Sequence, residues 1–265
     1  MFKIIGILIV IIIASCAGWF IYNDIINKGN SSENDVDDNL IATSVDNMPQ
    51  DIKDTVIEND IIKINLAVPN LSKQIIFYNN DLPEDAKILL REKITKLRNN
   101  LKENNDLFSD WLSLGVNYKI AGDYESARDA WEYVSVIRPS SSVSFSNLGD
   151  LYHYYLKDFP KAEKNFLQAI ENDKQKTDVY IALHELYKYS YKQNTTLVTD
   201  VLFEGLKEEP KNTNLLIILA AYFKEIEDIA NAKKYYTQAR DEAQKLENTQ
   251  LTELLNKEIK EISKP

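Results

Sequence analysis

Glycine is scarce in this chain: 7 of 265 residues, against an average share near 7%. Phosphate-cradling loops and tight hairpins draw on glycine for positive φ, so nucleotide-binding α/β folds and turn-rich β folds are disfavoured from the start. Cysteine occurs once, which rules out an intrachain disulfide framework. With one cysteine and two histidines, there is no Cys/His cluster of zinc-binding spacing. Positive charge is also short. Lys and Arg number 31 against 41 Asp and Glu, for a net charge of −10, and phosphate affinity needs clustered cations. Nucleic acid is therefore not an expected partner.

Catalytic signatures are missing as well. Leu183-His184-Glu185-Leu186 starts like a zinc-protease helix, but Lys188 stands where the second histidine is required, so two imidazoles cannot share one face. The other histidine lies in Tyr152-His153-Tyr154-Tyr155, on an expected helix surface. No nucleophile elbow, Walker loop or dinucleotide fingerprint occurs. The acid pairs Glu208-Glu209 and Asp241-Glu242 are helix neighbours that point apart. The expectation is a non-enzyme with no cofactor, no metal site and no small-molecule substrate.

What is present begins with one long apolar run. Ile4 to Tyr22 carries no charge over 19 positions, about 28 Å as a helix, close to the roughly 30 Å hydrocarbon core. Trp19, Phe20 and Tyr22 end the run and Asp24 follows, as an interfacial aromatic belt would. Residues 1–22 therefore read as a transmembrane anchor. A cleaved signal would have a shorter apolar region. The alternative is a lipoprotein lipidated at Cys16, because Ile13-Ala14-Ser15-Cys16 resembles a lipoprotein box. Against it, the residues following Cys16 are apolar. Lys3 before the span favours a cytoplasmic N-terminus, with the rest of the chain outside the cytoplasm.

Residues 23–60 are an acidic, disordered linker, rich in Asn, Asp, Ser and Glu and too poor in apolar surface to offset the entropy of ordering. Asp35, Asp37 and Asp38 lack the glycine and distal glutamate of a calcium loop. Residues 61–82 contain β-branched pieces, Ile61-Ile62-Lys63-Ile64 and Ile75-Ile76-Phe77-Tyr78. Runs this short fit either an extended strap or short strands. After Pro83, the acids Glu84 and Asp85 and the apolar spacing Ile88, Leu89, Ile94, Leu97, Leu101 predict an amphipathic helix over 83–104.

An internal period follows. Trp111, Leu114, Gly115, Tyr118, Ala127, Trp131 and Pro139 form a first unit, with Gly122-Asp123-Tyr124 at its internal turn. About 34 residues on, Phe145, Leu148, Gly149 and Tyr152, then Ala162, Phe166 and Ala169, repeat it with one residue inserted near Lys157-Asp158-Phe159. A third unit has Tyr180, Leu183 and Tyr187, His184 in the glycine position, then Val198, Leu202, Gly205 and Pro210 after a longer turn. A fourth has Leu216, Leu219, Ala220 and Phe223, then Ala232, Tyr236 and Ala239. The units span 107–141, 142–176, 177–212 and 213–246, and 247–265 reads as a capping helix.

Across 107–246 the chain resembles the tetratricopeptide repeat (TPR) family. The resemblance implies an all-α fold, a TPR-type helical-hairpin solenoid of about four repeats. Trp111, Gly115, Tyr118, Ala127, Trp131, Gly149, Tyr152, Ala162, Phe166, Ala232 and Tyr236 are then packing residues. It also implies a concave groove lined by the first helix of each unit, which grips a peptide or a partner protein. The groove positions left free by the packing pattern include Leu112, Val116, Ile120, Ser146, Asp150, His153, Tyr154, Ile181, Glu185, Lys188, Tyr189, Ile217, Ala221 and Lys224. Leu112 and Val116 stand where carboxylate-clamping members carry polar or basic residues, so no such clamp is carried over. The function expected is a membrane-anchored scaffold or tether that binds protein. The alternative is an accessory subunit that docks a cell-envelope enzyme or export machine.

Overall fold

Four aspartates and asparagines placed just after a left-handed residue organise the chain into helices. The computed structural model describes residues 67–264, which belong to one folded unit. The expected span Ile4 to Tyr22, Cys16, the acidic linker and the strap up to residue 66 lie outside the described residues. Among the described residues no helix is long and apolar enough to cross a membrane.

Helix α1 (Glu84–Glu103) starts after Pro83 with acids in its first turn and buries Leu90, Ile94, Arg98 and Leu101. Four helical hairpins follow. They pair α2 (Phe108–Ala121) with α3 (Tyr124–Ile137), α4 (Ser142–Asp150) with α5 (Phe159–Asn172), α6 (Thr177–Glu185) with α7 (Leu197–Glu208), and α8 (Thr213–Glu225) with α9 (Ile229–Lys245). Helix α10 (Thr249–Ile262) packs on α9 and ends the stack. The described residues are all-α, without a strand.

Three hairpins turn the same way. Gly122, Lys157 and Glu227 take φ of 80°, 57° and 62°, and the next residue caps the second helix. Asp123 accepts from the backbone N–H of Ser126, Asp158 from Lys161 and Asp228 from Asn231. Glu247 (φ 56°) and Asn248 repeat the device before α10. A left-handed L-residue costs roughly 1–2 kcal/mol, and a cap returns about 1 kcal/mol, so the pair holds the turn close to neutral.

The inserted residue of the second unit is absorbed inside a helix. Leu151–Leu156 continue α4 as a π-helical segment, which fits one extra residue without breaking the hydrogen-bonded ladder. Leu186–Ser190 continue α6 in the same way. The third turn is longer, with Lys192 and Asn194 at positive φ and no side-chain cap on α7.

Close helix approach holds each pair together. Gly115 lies against the Trp131 ring and Gly149 against Phe166, so near that a methyl group at either glycine would overlap the ring. Trp111, Tyr118, Ala127, Trp131, Tyr152, Ala162, Phe166, Ala232 and Tyr236 are all buried. The indole nitrogens are satisfied too: Trp131 Nε1 donates to the Leu112 carbonyl at 3.1 Å and Trp111 Nε1 to that of Asn105 at 2.9 Å.

Residues 67–82 run as an extended strap across α1 and the α2–α3 turn. The N–H groups of Tyr78 and Asn79 donate to the Ala121 carbonyl at 2.8 and 3.1 Å. Arg98, buried in α1, donates from Nε to the Tyr118 hydroxyl at 2.7 Å and from Nη1 to the Lys73 carbonyl at 2.5 Å. Leu71, Ile75, Phe77 and Leu82 pack on the core. Strap and α1 together cover the side of the first hairpin on which a preceding unit would stack.

Gly115→Val tests the close approach. Overpacking against Trp131 should cost about 1–3 kcal/mol, read as a lowered urea midpoint at unchanged m-value. Unaltered stability would contradict the packing described.

Candidate functional site

The first helices α2, α4, α6 and α8 bury one stripe each and leave a second stripe uncovered. Along that stripe Ile120, Tyr154 and Tyr189 are exposed, at 44%, 42% and 62%. Leu112, Val116, Ser146, Asp150, Ile181, Glu185, Lys188, Ile217 and Lys224 are half-buried, and Ala221 is exposed.

Polar contacts bring residues of successive first helices together. The Tyr154 hydroxyl on the π-helical extension of α4 donates to Glu185 on α6. Lys188, on the extension of α6, donates to Glu225 on α8 at 2.5 Å. Lys224 on α8 donates to Glu258 on α10 at 2.6 Å. These contacts run without a break from α4 through α6 and α8 to α10. Each of the two ion pairs keeps one partner open to solvent, and screening there limits its contribution to about 0–1 kcal/mol. Their consequence is that Lys188 and Lys224 are already neutralised inside the chain.

Sequence reasoning missed several members. Tyr155, 41% exposed, packs against Tyr124 with ring centroids 4.5 Å apart and the rings tilted by 42°. Lys119 lies over the Tyr155 ring at 5.6 Å and the Trp131 ring at 5.9 Å. Asp178 and Ile226 are exposed at the ends of α6 and α8. Tyr155 was hidden because a straight helical register assigns no exposed face to it, whereas the π-helical segment shifts the register by a residue.

The same segment corrects the placement of His153. Expected on the helix surface and in the groove, it is 2% exposed. The extra residue rotates it inward, where Nε2 lies 2.9 Å from Ser190 Oγ and the ring sits 4.0 Å from that of Tyr154. Nδ1 has no partner among the described residues. Burial pushes its pKa down to about 4, so the ring is neutral at ordinary pH. A serine beside an imidazole has nucleophile–base spacing, but nothing orients this ring through Nδ1; the contact links α4 to α6. His184 is also buried, and its Nδ1–H donates to the Val198 carbonyl at 2.7 Å, tying α6 to the start of α7. Burial lowers its pKa in turn.

Asp150 is the unusual polar residue of the face. It is half-buried, and among the described residues no hydrogen-bond donor or cation pairs with its carboxylate. Burial raises its pKa to about 6, Lys119 and Lys176 oppose the rise, and Asp178 and Glu185 add to it. Among the described residues no group of three or more His, Cys, Asp or Glu could hold a metal ion.

A cleft of about 430 Å³ lies elsewhere, between Val68–Ser72 of the strap and Leu101–Asn105 at the end of α1. It includes none of the first-helix face.

No family model matches the chain, and no curated protein matches it. Solved structures similar to it include MamA and YrrB. MamA aligns at 16% identity and a TM-score of 0.49, over 63% of this chain and 98% of its own. YrrB, described as a TPR protein with an unusual peptide-binding site, aligns at 13% identity and a TM-score of 0.40, over 63% of this chain and 92% of its own.

The Asp150 environment has a testable sign. Its pKa is raised above the ordinary 3.8, so the folded state resists ionisation and loses stability as pH climbs from about 3.8 through about 6. Asp150→Asn removes that loss. The variant should melt a few degrees higher than wild type at pH 7.5, with the gain shrinking toward zero near pH 4. A lower melting temperature at pH 7.5 would contradict the assignment.

Proposed function

We propose that the chain is a TPR-type protein-interaction module without catalytic activity. Its first-helix face binds a peptide or a segment of a partner protein. The observation that carries this reading is the division of tyrosines by repeat position. Tyr118, Tyr152, Tyr180 and Tyr187 are buried, at 3–5% exposure, while Tyr154 and Tyr189, on the same helices or their extensions, are 42% and 62% exposed. Exposed aromatic rings on a face shared by adjacent helices offer large contact area at low conformational cost. The buried histidines offer no competing chemistry.

Ile4 to Tyr22 completes the proposal as a single-pass anchor, with residues 23–60 as the tether and the helical unit outside the cytoplasm. Anchoring raises the local concentration of the binding face at the membrane, so that a weak peptide contact becomes an effective one. Lipidation at Cys16 would have the same mechanical result, and protease access in intact cells reports on which side the helices lie.

The test is purification of the full chain from detergent-solubilised membranes, comparing wild type with Tyr154→Ala/Tyr189→Ala. The double variant should retain its melting temperature within about 2 °C and lose the co-purifying partner set. A single stoichiometric partner would favour the accessory-subunit form of the reading. A partner set unchanged by the two substitutions would remove the face from the account.

A further inference from the structure

We propose that the occupant of the first-helix face is an extended basic peptide, whose arginine or lysine side chains pair with Asp150 and Glu185 while apolar neighbours lie on Ile120, Tyr154 and Tyr189. This rests on the reading of that face as a peptide site and adds the chemistry of its ligand.

Charge complementarity decides the occupant. The face carries cations as well as acids, but its two inner lysines are consumed internally, Lys188 by Glu225 and Lys224 by Glu258. Lys119 lies over two aromatic rings and forms no ion pair among the described residues. The acids around α4 and α6 have weaker claims on them. Among the described residues Asp150 has no partner, Glu185 accepts only the Tyr154 hydroxyl, and Asp178 meets Lys176 at 3.5 Å. Against the single unpaired cation Lys119 stand two carboxylates without a cation partner among the described residues, Asp150 and Glu185, so the face is left net negative. An acidic ligand would meet that charge at close range, and a neutral one would leave Asp150 desolvated and unpaired. A guanidinium or ammonium ion gives the carboxylate the donors it lacks, and the exposed tyrosine rings favour the same cation through their faces.

Spacing follows from helix geometry. Asp150 and Glu185 sit on adjacent first helices, and packed helices stand about 8–10 Å apart. An extended polyproline-II chain advances about 3.1 Å per residue and returns to the same face every third residue. The two basic side chains of the ligand are therefore three residues apart on one face, with apolar residues between and beside them. Among the described residues no group of three or more His, Cys, Asp or Glu could hold a metal ion, so the charge addresses a side chain rather than an ion.

Binding should weaken as the carboxylate is protonated. Asp150 is held near 6 by burial, by Asp178 and Glu185 on α6 and against Lys119 on α2 and Lys176 just before α6; Tyr154 and Tyr155 stay neutral, their pKa values raised by burial first. The cation pairs with the ionised form only, so affinity falls as pH drops below about 6.

The experiment uses the full chain in detergent and fluorescence anisotropy with three labelled peptides of about ten residues, enough to cross three to four units at extended spacing. One carries two arginines three residues apart in an alanine-leucine background; the others carry glutamate or glutamine in their place. Wild type should bind the arginine peptide at least tenfold tighter than either counterpart. Asp150→Asn should weaken that binding at least tenfold while melting no lower than wild type, so a folding defect cannot explain the loss. Glu208→Gln, the same charge change on an exposed position of α7, should leave it within twofold. Tight binding of the glutamate or glutamine peptide that Tyr189→Ala abolishes would overturn the basic ligand and keep the face. Equal weakening by Glu208→Gln would overturn it as well, leaving only the general attraction of an acidic protein. Failure of all three peptides, or binding insensitive to both Asp150→Asn and Tyr189→Ala, would overturn the ligand and the peptide site together.

Discussion

Everything in the helical unit depends on how closely two helices of a pair can approach. Where one helix offers glycine, the other can set an aromatic ring against its backbone, as Trp131 does on Gly115 and Phe166 on Gly149. The contact removes a large apolar area from water and leaves no void, the two conditions under which dispersion and hydrophobic terms add. The third unit meets the constraint by another route. His184 replaces the glycine of its first helix, and Gly205 on the second helix receives the ring of Tyr180. The donor of space has changed helix while the pair has stayed closed. In the fourth, Ala220 and Tyr236 are buried in one cluster.

Because packing consumes one stripe of every first helix, the face opposite is left uncovered. Its composition is set by what packing did not require, which explains why tyrosine performs two jobs in a single helix. Tyr152 fills space between units and donates to Glu132 at 2.5 Å, while Tyr154, two residues on, faces outward. The internal pairing of Lys188 and Lys224 shapes that face further, since each pair removes a free cation from it. Burial raises the Asp150 pKa, which makes its ionised form costly to the fold at neutral pH.

The helical period was legible because packing repeats small and aromatic residues at fixed intervals, and Trp111, Gly115, Ala127 and Trp131 state that interval plainly. Burial of Phe166 and Tyr236 followed from the same register. The turns were less readable. Only Gly122 announces a left-handed residue, while Lys157 and Glu227 adopt that conformation because the following aspartate caps and the flanking helices leave no alternative. The π-helical segments were illegible for a related reason: an inserted residue shows as a shifted register without showing whether a loop or a helix absorbs it. His153 was misplaced on that account, and Tyr155 overlooked. Charge pairing between helices, such as Lys224 with Glu258, joins residues far apart in sequence and has no local signal.

Hydroxyl-radical footprinting of the full chain tests the central claim, that repeat position divides like residues between a buried packing stripe and an exposed face. Mass spectrometry would follow each tyrosine separately. Strong labelling of Tyr154, Tyr155 and Tyr189 with protection of Tyr118, Tyr152, Tyr180 and Tyr187 is the predicted outcome. Comparable labelling of both sets, or protection of Tyr154 and Tyr189 in the purified chain, would contradict it.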